Sequence, residues 1–159
     1  MERVAIYAGS FDPVTVGHVD VMQRASSLFD RLIIAVGNNP AKKYLFDLEE
    51  RTSLIERSLE SVKGVEVVAF SGLLVDTARA RGATVILRGL RALSDFELEF
   101  RNGLANRDLS GLETMFLLSS PRFVYVSSSL VKEVASSGGD VSRWVPAPVL
   151  SALQQRYPR

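Results

Sequence analysis

His18 is the only histidine in the chain, and it closes the tetrapeptide Thr15-Val16-Gly17-His18. The tetrapeptide follows a first apolar segment and the turn Gly9-Ser10-Phe11-Asp12-Pro13. Where a strand hands over to a helix, backbone N–H groups and the positive end of the helix dipole favour a bound anion. Ser10 adds a hydroxyl and an N–H, and His18 can donate through either ring nitrogen. Gly9 and Gly17 allow a close backbone approach that a β-carbon would hinder. Three further stretches offer groups of the same kind. Lys42 follows Asn39-Pro40-Ala41 and can reach an anion, whereas Lys43 reads as solvated. Arg88-Gly89-Leu90-Arg91 places two guanidiniums three residues apart, able to clamp a phosphate from a turn. Ser127-Ser128-Ser129 supplies an N-cap plus further hydroxyls and free N–H groups, which suits a polyphosphate. Glu99, one turn into the helix after the arginines, reads on sequence alone as a solvated carboxylate.

The elements that must position these groups alternate between strand-like and helix-like stretches. Strands are expected at 4–8, 32–36, 65–70, 84–87 and 114–118, the fourth ended by Arg88-Gly89. Helices are expected at 18–29, 48–62, from 73 to about 82, from Ser94 to about 108, after Ser127 to Gly138, and at 147–156. Val21, Met22, Ala25, Leu28 and Phe29 recur at helical spacing, whereas residues 32–36 are apolar on both faces, as in a buried strand. Asp47 with Glu50, and Ser94 with Glu97, read as capping boxes. Repeated β-then-α order predicts one domain, residues 1–159. Its fold is α/β, a doubly wound, Rossmann-like five-stranded parallel sheet with helices on both faces. Ligands of such sheets bind beyond the carboxyl ends of the strands. That rule selects the loops after Tyr7, Val36, Phe70 and Leu87 and the segment before Ser127, where the anion-binding groups lie.

Composition narrows the class. A 159-residue chain that is 47% hydrophobic can bury one sizeable core. With 19 Lys+Arg against 18 Asp+Glu the formal charge is +1, which argues against nucleic acid or a membrane surface as partner. With no cysteine there is no disulfide, thiolate nucleophile or thiolate metal site, and one histidine cannot build a multi-histidine site. No apolar run approaches a membrane span, so a cytoplasmic location is expected. The P-loop, the G-x-G-x-x-G dinucleotide fingerprint and the G-x-S-x-G elbow are all missing.

Taken together, the motifs resemble those of the bacterial phosphopantetheine adenylyltransferases, nearly end to end from Ala5 to about Leu153. The T-x-G-H is shared with the wider nucleotidyltransferase superfamily. The resemblance also runs through Phe46-Asp47-Leu48-Glu49-Glu50-Arg51 and Gly72-Leu73-Leu74, and it narrows through Arg88-Gly89-Leu90-Arg91 and Ser127-Ser128-Ser129-Leu130-Val131-Lys132-Glu133. It implies adenylyl transfer from ATP to 4′-phosphopantetheine, giving dephospho-coenzyme A and pyrophosphate with Mg²⁺ held mainly by phosphates and water. It implies catalytic roles for His18, Lys42 and Arg91, with His18 stabilising the transition state. Ser10, Lys42, Leu73, Leu74, Arg88 and Asn106 would meet phosphopantetheine. Ser10, Phe11, His18, Gly89, Leu90, Arg91, Glu99 and the run Phe123, Val124, Tyr125, Val126, Ser127, Ser128 and Ser129 would meet ATP. A homohexamer and feedback inhibition by coenzyme A are also implied. The chain departs from the family pattern at Ala8, Leu98, residues 101–105 and Val124. The competing readings are a sister nucleotidyltransferase for another small phosphate, and a non-enzymatic sensor of nucleotide or coenzyme A.

Overall fold

A computed structural model describes the whole chain, Met1–Arg159. Five strands, β1 (Val4–Gly9), β2 (Arg31–Gly37), β3 (Val65–Phe70), β4 (Val85–Leu90) and β5 (Glu113–Leu118), form one parallel sheet in the order β3-β2-β1-β4-β5. The helices are α1 (Val16–Ser26), α2 (Leu48–Ser58), α3 (Leu74–Ala80), α4 (Leu93–Ser110), α5 (Ser128–Ser136) and α6 (Ala147–Arg156). Side chains alternate along each strand and feed two cores. Ala5, Tyr7, Leu32, Ile34 and Leu87 pack with Val21, Met22, Ile55, Val131 and Val149 of α1, α2, α5 and α6. Val4, Ile6, Ile33 and Ile86 pack on the other face with Val75 and Ala78 of α3. The expected doubly wound sheet is therefore present. Its chain order reverses between β1 and β4, the switch point where such sheets open a crevice.

Several boundaries differ from expectation for local reasons. Helix α1 begins at Val16 because Thr15 caps it, and it ends at Ser26 rather than near Phe29. The Ser26 and Ser27 hydroxyls donate to the carbonyls of Gln23 and Arg24, a local alternative to helical bonding. Asp47 and Glu50 form the expected reciprocal cap of α2, which stops at Ser58 instead of 62. The Ser94–Glu97 capping box does not form. Helix α4 starts one residue earlier behind Ala92, without a side-chain cap, and Asp95 turns toward Arg91. Strand β4 runs on through Arg88, Gly89 and Leu90, which pair with Phe116, Leu117 and Leu118 of β5. The R-G-L-R stretch is thus a strand end and not a turn.

Candidate active site

His18 is built into the start of α1. Its backbone N–H donates to Thr15 Oγ1 at 3.3 Å, and its Nδ1 accepts the Thr15 backbone N–H at 3.0 Å. This is a capping box with imidazole in the place usually held by Glu or Gln. Because Nδ1 is engaged as an acceptor, the ring carries its proton on Nε2. The expectation that either nitrogen could donate is corrected: only Nε2–H is free to do so. Burial first, then the charges of Arg91 and Arg88, lower the His18 pKa to about 4. The ring is therefore neutral at pH 7 and acts as a hydrogen-bond donor rather than a fixed cation.

Phe11 holds that ring in place. It adopts a left-handed φ of 47° and packs edge-on against both Tyr7 and His18, with centroids 5.5 and 5.1 Å away. A β-carbon on Gly9 would lie 2.9 Å from the Phe11 ring, so Gly9 makes room for Phe11 itself. At Gly17 a β-carbon would meet the protein no closer than 3.5 Å, and the residue lines the cleft described next. Any close approach at Gly17 is thus left for a ligand.

A cleft of about 450 Å³ opens beyond the ends of β1 and β4. It gathers Ser10, Phe11, His18, Arg88, Gly89, Arg91, Glu99, Phe123, Val126, Ser127, Ser128 and Ser129, residues spread over more than one hundred positions of sequence. Leu90, Val124 and Tyr125 do not line it. Strand alternation turns Leu90 away from the face of Gly89. Val124 is exposed, and Tyr125 stands edge-on to Trp144 and accepts its indole N–H at 3.2 Å. Leu98, one of the departures from the family pattern, lies on the wall.

A second cleft, of about 890 Å³, adjoins the first and shares Ala8, Gly9, Ser10 and Arg88 with it. Lys42 and Leu74 line it, and no carboxylate does. Leu73 is the exposed N-cap of α3 and does not face this space. Asn106 lies in an adjoining hollow with Leu74, Arg88 and Glu99. Lys43 is exposed and lines neither cleft.

The ionic partners revise the sequence reading. Glu99 is buried and binds Arg88 through two hydrogen bonds of 2.8 Å, while Arg88 Nη1 donates to the Ala8 carbonyl. The solvated role expected for Glu99 is overturned, because its helix faces the cleft and Arg88 reaches it from β4. The paired carboxylate raises the Arg88 pKa further. Arg91 donates to the Val126 carbonyl at 3.3 Å and lies 3.6 Å from Asp95. Two of the three serine hydroxyls are also engaged. Ser127 accepts from Leu130 N–H as N-cap of α5, and Ser128 donates to the Pro13 carbonyl. What this segment offers a ligand is then the Ser127 O–H, still free to donate, the Ser129 hydroxyl and the first N–H groups of α5.

Sequence reasoning missed three residues. The Asp12 carboxylate accepts the N–H groups of Leu45 and Phe46 at 2.8 and 2.9 Å and pairs with Lys132 of α5 at 3.1 Å. It therefore ties the first turn to both the Lys42 loop and the serine helix. Arg51 is fully buried although it is charged. It lies four residues before Ile55 on the buried side of α2, a position that periodicity alone could have flagged.

Comparison with known proteins agrees with this geometry. A family model described as cytidylyltransferase-like matches residues 6–134. A parallel sheet with a trough of arginines and serines at its switch point, joined to a T-x-G-H at the start of the first helix, fits the nucleotidyltransferase class. The solved structure of a Vibrio parahaemolyticus protein assigned as a nicotinate-nucleotide adenylyltransferase superposes with a TM-score of 0.70. It is 18% identical, covers 98% of this chain and 93% of its own, and so shows a shared fold. The phosphopantetheine adenylyltransferase of Alkalilimnicola ehrlichii is 55% identical over 160 residues, covering 99% of this chain and 92% of its own length. That of Alkaliphilus metalliredigens is 51% identical over 155 residues, covering 97% and 99%. The chain belongs to the phosphopantetheine adenylyltransferase family.

Proposed function

We propose that this protein transfers the adenylyl group of ATP to 4′-phosphopantetheine, releasing pyrophosphate and dephospho-coenzyme A in coenzyme A synthesis. The observation that carries the reading is the pair of adjoining clefts that share Ser10 and Arg88, with His18 in the first and Lys42 in the second. Family membership supplies the substrates. In this reading ATP occupies the cleft between His18 and the serine helix, and phosphopantetheine occupies the carboxylate-free cleft beside Lys42. A phosphate oxygen of phosphopantetheine attacks the α-phosphorus of ATP. The bond from that phosphorus to the β-phosphate bridging oxygen breaks, and pyrophosphate leaves with the electron pair.

The attacking oxygen is already anionic, so the protein need supply no nucleophile. Its task is to bring two polyanions together and stabilise the charge that spreads over the α-phosphate. His18 Nε2–H donates to that phosphate, and its fixed tautomer means no reorganisation is needed as charge develops. Lys42, Arg88 and Arg91 offset the repulsion between the substrates. No group of three His, Cys, Asp or Glu is arranged to hold a metal ion, and the cleft carboxylates Glu99 and Asp95 face arginines. In this reading Mg²⁺ would enter as MgATP, held mainly by phosphates and water, as a hard cation that keeps its oxygen ligands does at such sites. Coenzyme A, which carries both halves of the product, would act as a feedback inhibitor. No helix is long and apolar enough to cross a membrane, which is compatible with a cytoplasmic enzyme.

The deciding experiment is pyrophosphate release from MgATP with and without 4′-phosphopantetheine, for the wild type and His18→Ala. The expected result is strict dependence on phosphopantetheine and a loss of about 100-fold or more in the folded variant. Consumption of another small phosphate in its place would move the chain to a sister activity. Coenzyme A binding with no pyrophosphate release would make it a sensor.

A further inference from the structure

Arg51 is 1% exposed, yet it forms no ion pair. Its guanidinium instead donates to three main-chain carbonyls. Nη1 reaches Ser10 and Gly37, each at 2.8 Å, and Nε reaches Phe46 at 3.1 Å. The Tyr44 ring covers its charged carbon at 3.9 Å, and Nη2 meets no acceptor in the protein. A buried cation left without a carboxylate is costly. A neutral side chain filling that space would avoid the cost.

The three carbonyls share a geometric meaning. Gly37 and Phe46 stand at the two ends of the loop that carries Lys42, so one planar group closes that loop at its base. The Ser10 carbonyl belongs to the peptide that joins Ser10 to Phe11. In a trans peptide the carbonyl and the following N–H point in opposite directions. Holding the Ser10 oxygen on Arg51 therefore turns the Phe11 N–H away from Arg51, and that N–H has no acceptor in the protein. Ser10 lies where the two clefts meet.

We propose that Arg51 is a positioning residue for the substrate phosphate, fixing the Lys42 loop and the Ser10–Phe11 peptide as one unit and adding an uncancelled positive charge behind them. The proposal rests on the reading that phosphopantetheine occupies the Lys42 cleft. Lysine would keep the charge but lacks the planar fork that holds three carbonyls at once.

The test compares calorimetric affinities of the whole protein for 4′-phosphopantetheine, pantetheine without its phosphate, and ATP. It is run on the wild type, Arg51→Lys and Arg51→Met, with melting curves to establish folding. The expected result for Arg51→Met is a loss of about ten-fold or more for phosphopantetheine, with pantetheine and ATP changing less than about three-fold. Arg51→Lys should fall between and show the same selectivity, and it decides the matter if the methionine variant does not fold. Equal weakening of all three ligands, or none, in the folded variants would make Arg51 a scaffold residue and overturn the proposal. A wild type that does not favour phosphopantetheine over pantetheine would instead overturn the substrate reading beneath it.

Discussion

At the scale of single residues, the most consequential feature is an imidazole that caps a helix through one nitrogen while lining the cleft. Thr15 fixes Nδ1, and burial together with two arginines keeps the ring neutral. Because His18 is the only histidine, its nitrogen resonances can be assigned without ambiguity. A nitrogen-detected NMR titration should show the Nε2–H tautomer and a midpoint near 4. A midpoint near the ordinary 6.5 would mean that the ring is solvated and its tautomer not fixed by Thr15. The same depression ties stability to pH. Since the folded pKa lies below the unfolded one, the unfolded chain takes up the proton first as pH falls. The contribution of His18 to stability is therefore complete above about pH 6.5 and is lost progressively toward pH 4. Denaturant titrations across that window should show the wild type losing stability relative to His18→Gln as pH falls, with no further relative change below about pH 4.

At the scale of elements, the strands and helices were legible because their periodicity and turn residues agree with the fold. Residues 32–36 are apolar throughout and lie in the middle of β2, at 0% exposure. Asp47 and Glu50 cap α2 as their spacing requires. What could not be read was the partner of each charge. Arg88 and Glu99 are eleven residues apart on different elements, and only the β4–α4 crossing brings them together. His18 as a capping residue lay outside the usual Glu or Gln pattern, and Arg51 was hidden because a charged residue on a helix is ordinarily counted as solvated. Helix α4 also carries Gly103, which costs a helix ~1 kcal/mol against alanine. A β-carbon there would touch Thr114 of β5 at 3.4 Å, within ordinary contact. Gly103→Ala should therefore raise unfolding stability by about 0.5–1 kcal/mol in urea titrations. A loss would show that α4 and β5 cannot yield even a few tenths of an ångström.

At the scale of the whole molecule, one side remains unfinished. Leu93, Phe96, Phe100 and Leu104 recur at helical spacing along α4 and are all exposed, as is Leu118 of the edge strand β5. Phe96 and Phe100 stack on each other with centroids 5.7 Å apart. An apolar face of this extent on a near-neutral chain is a place for another protein surface. The implied homohexamer would supply it with copies of the chain itself. Sedimentation analysis should give six times the 17.5 kDa chain mass, and Phe100→Glu should shift it to smaller species. A wild type that sediments as a monomer would remove the hexamer from the reading.

The two clefts share four residues, so they are compartments of one trough with Arg88 between them. A single molecule long enough to lie in both gives up its freedom of tumbling once, whereas two separate substrates give it up twice. Under the proposed placement such a trough would grip the joined product more tightly than either half, and turnover would then depend on how readily the enzyme lets go. With both reactants placed as proposed, restraint by an end product would need no separate regulatory pocket, since the affinity that assembles the reactants would also retain what they become.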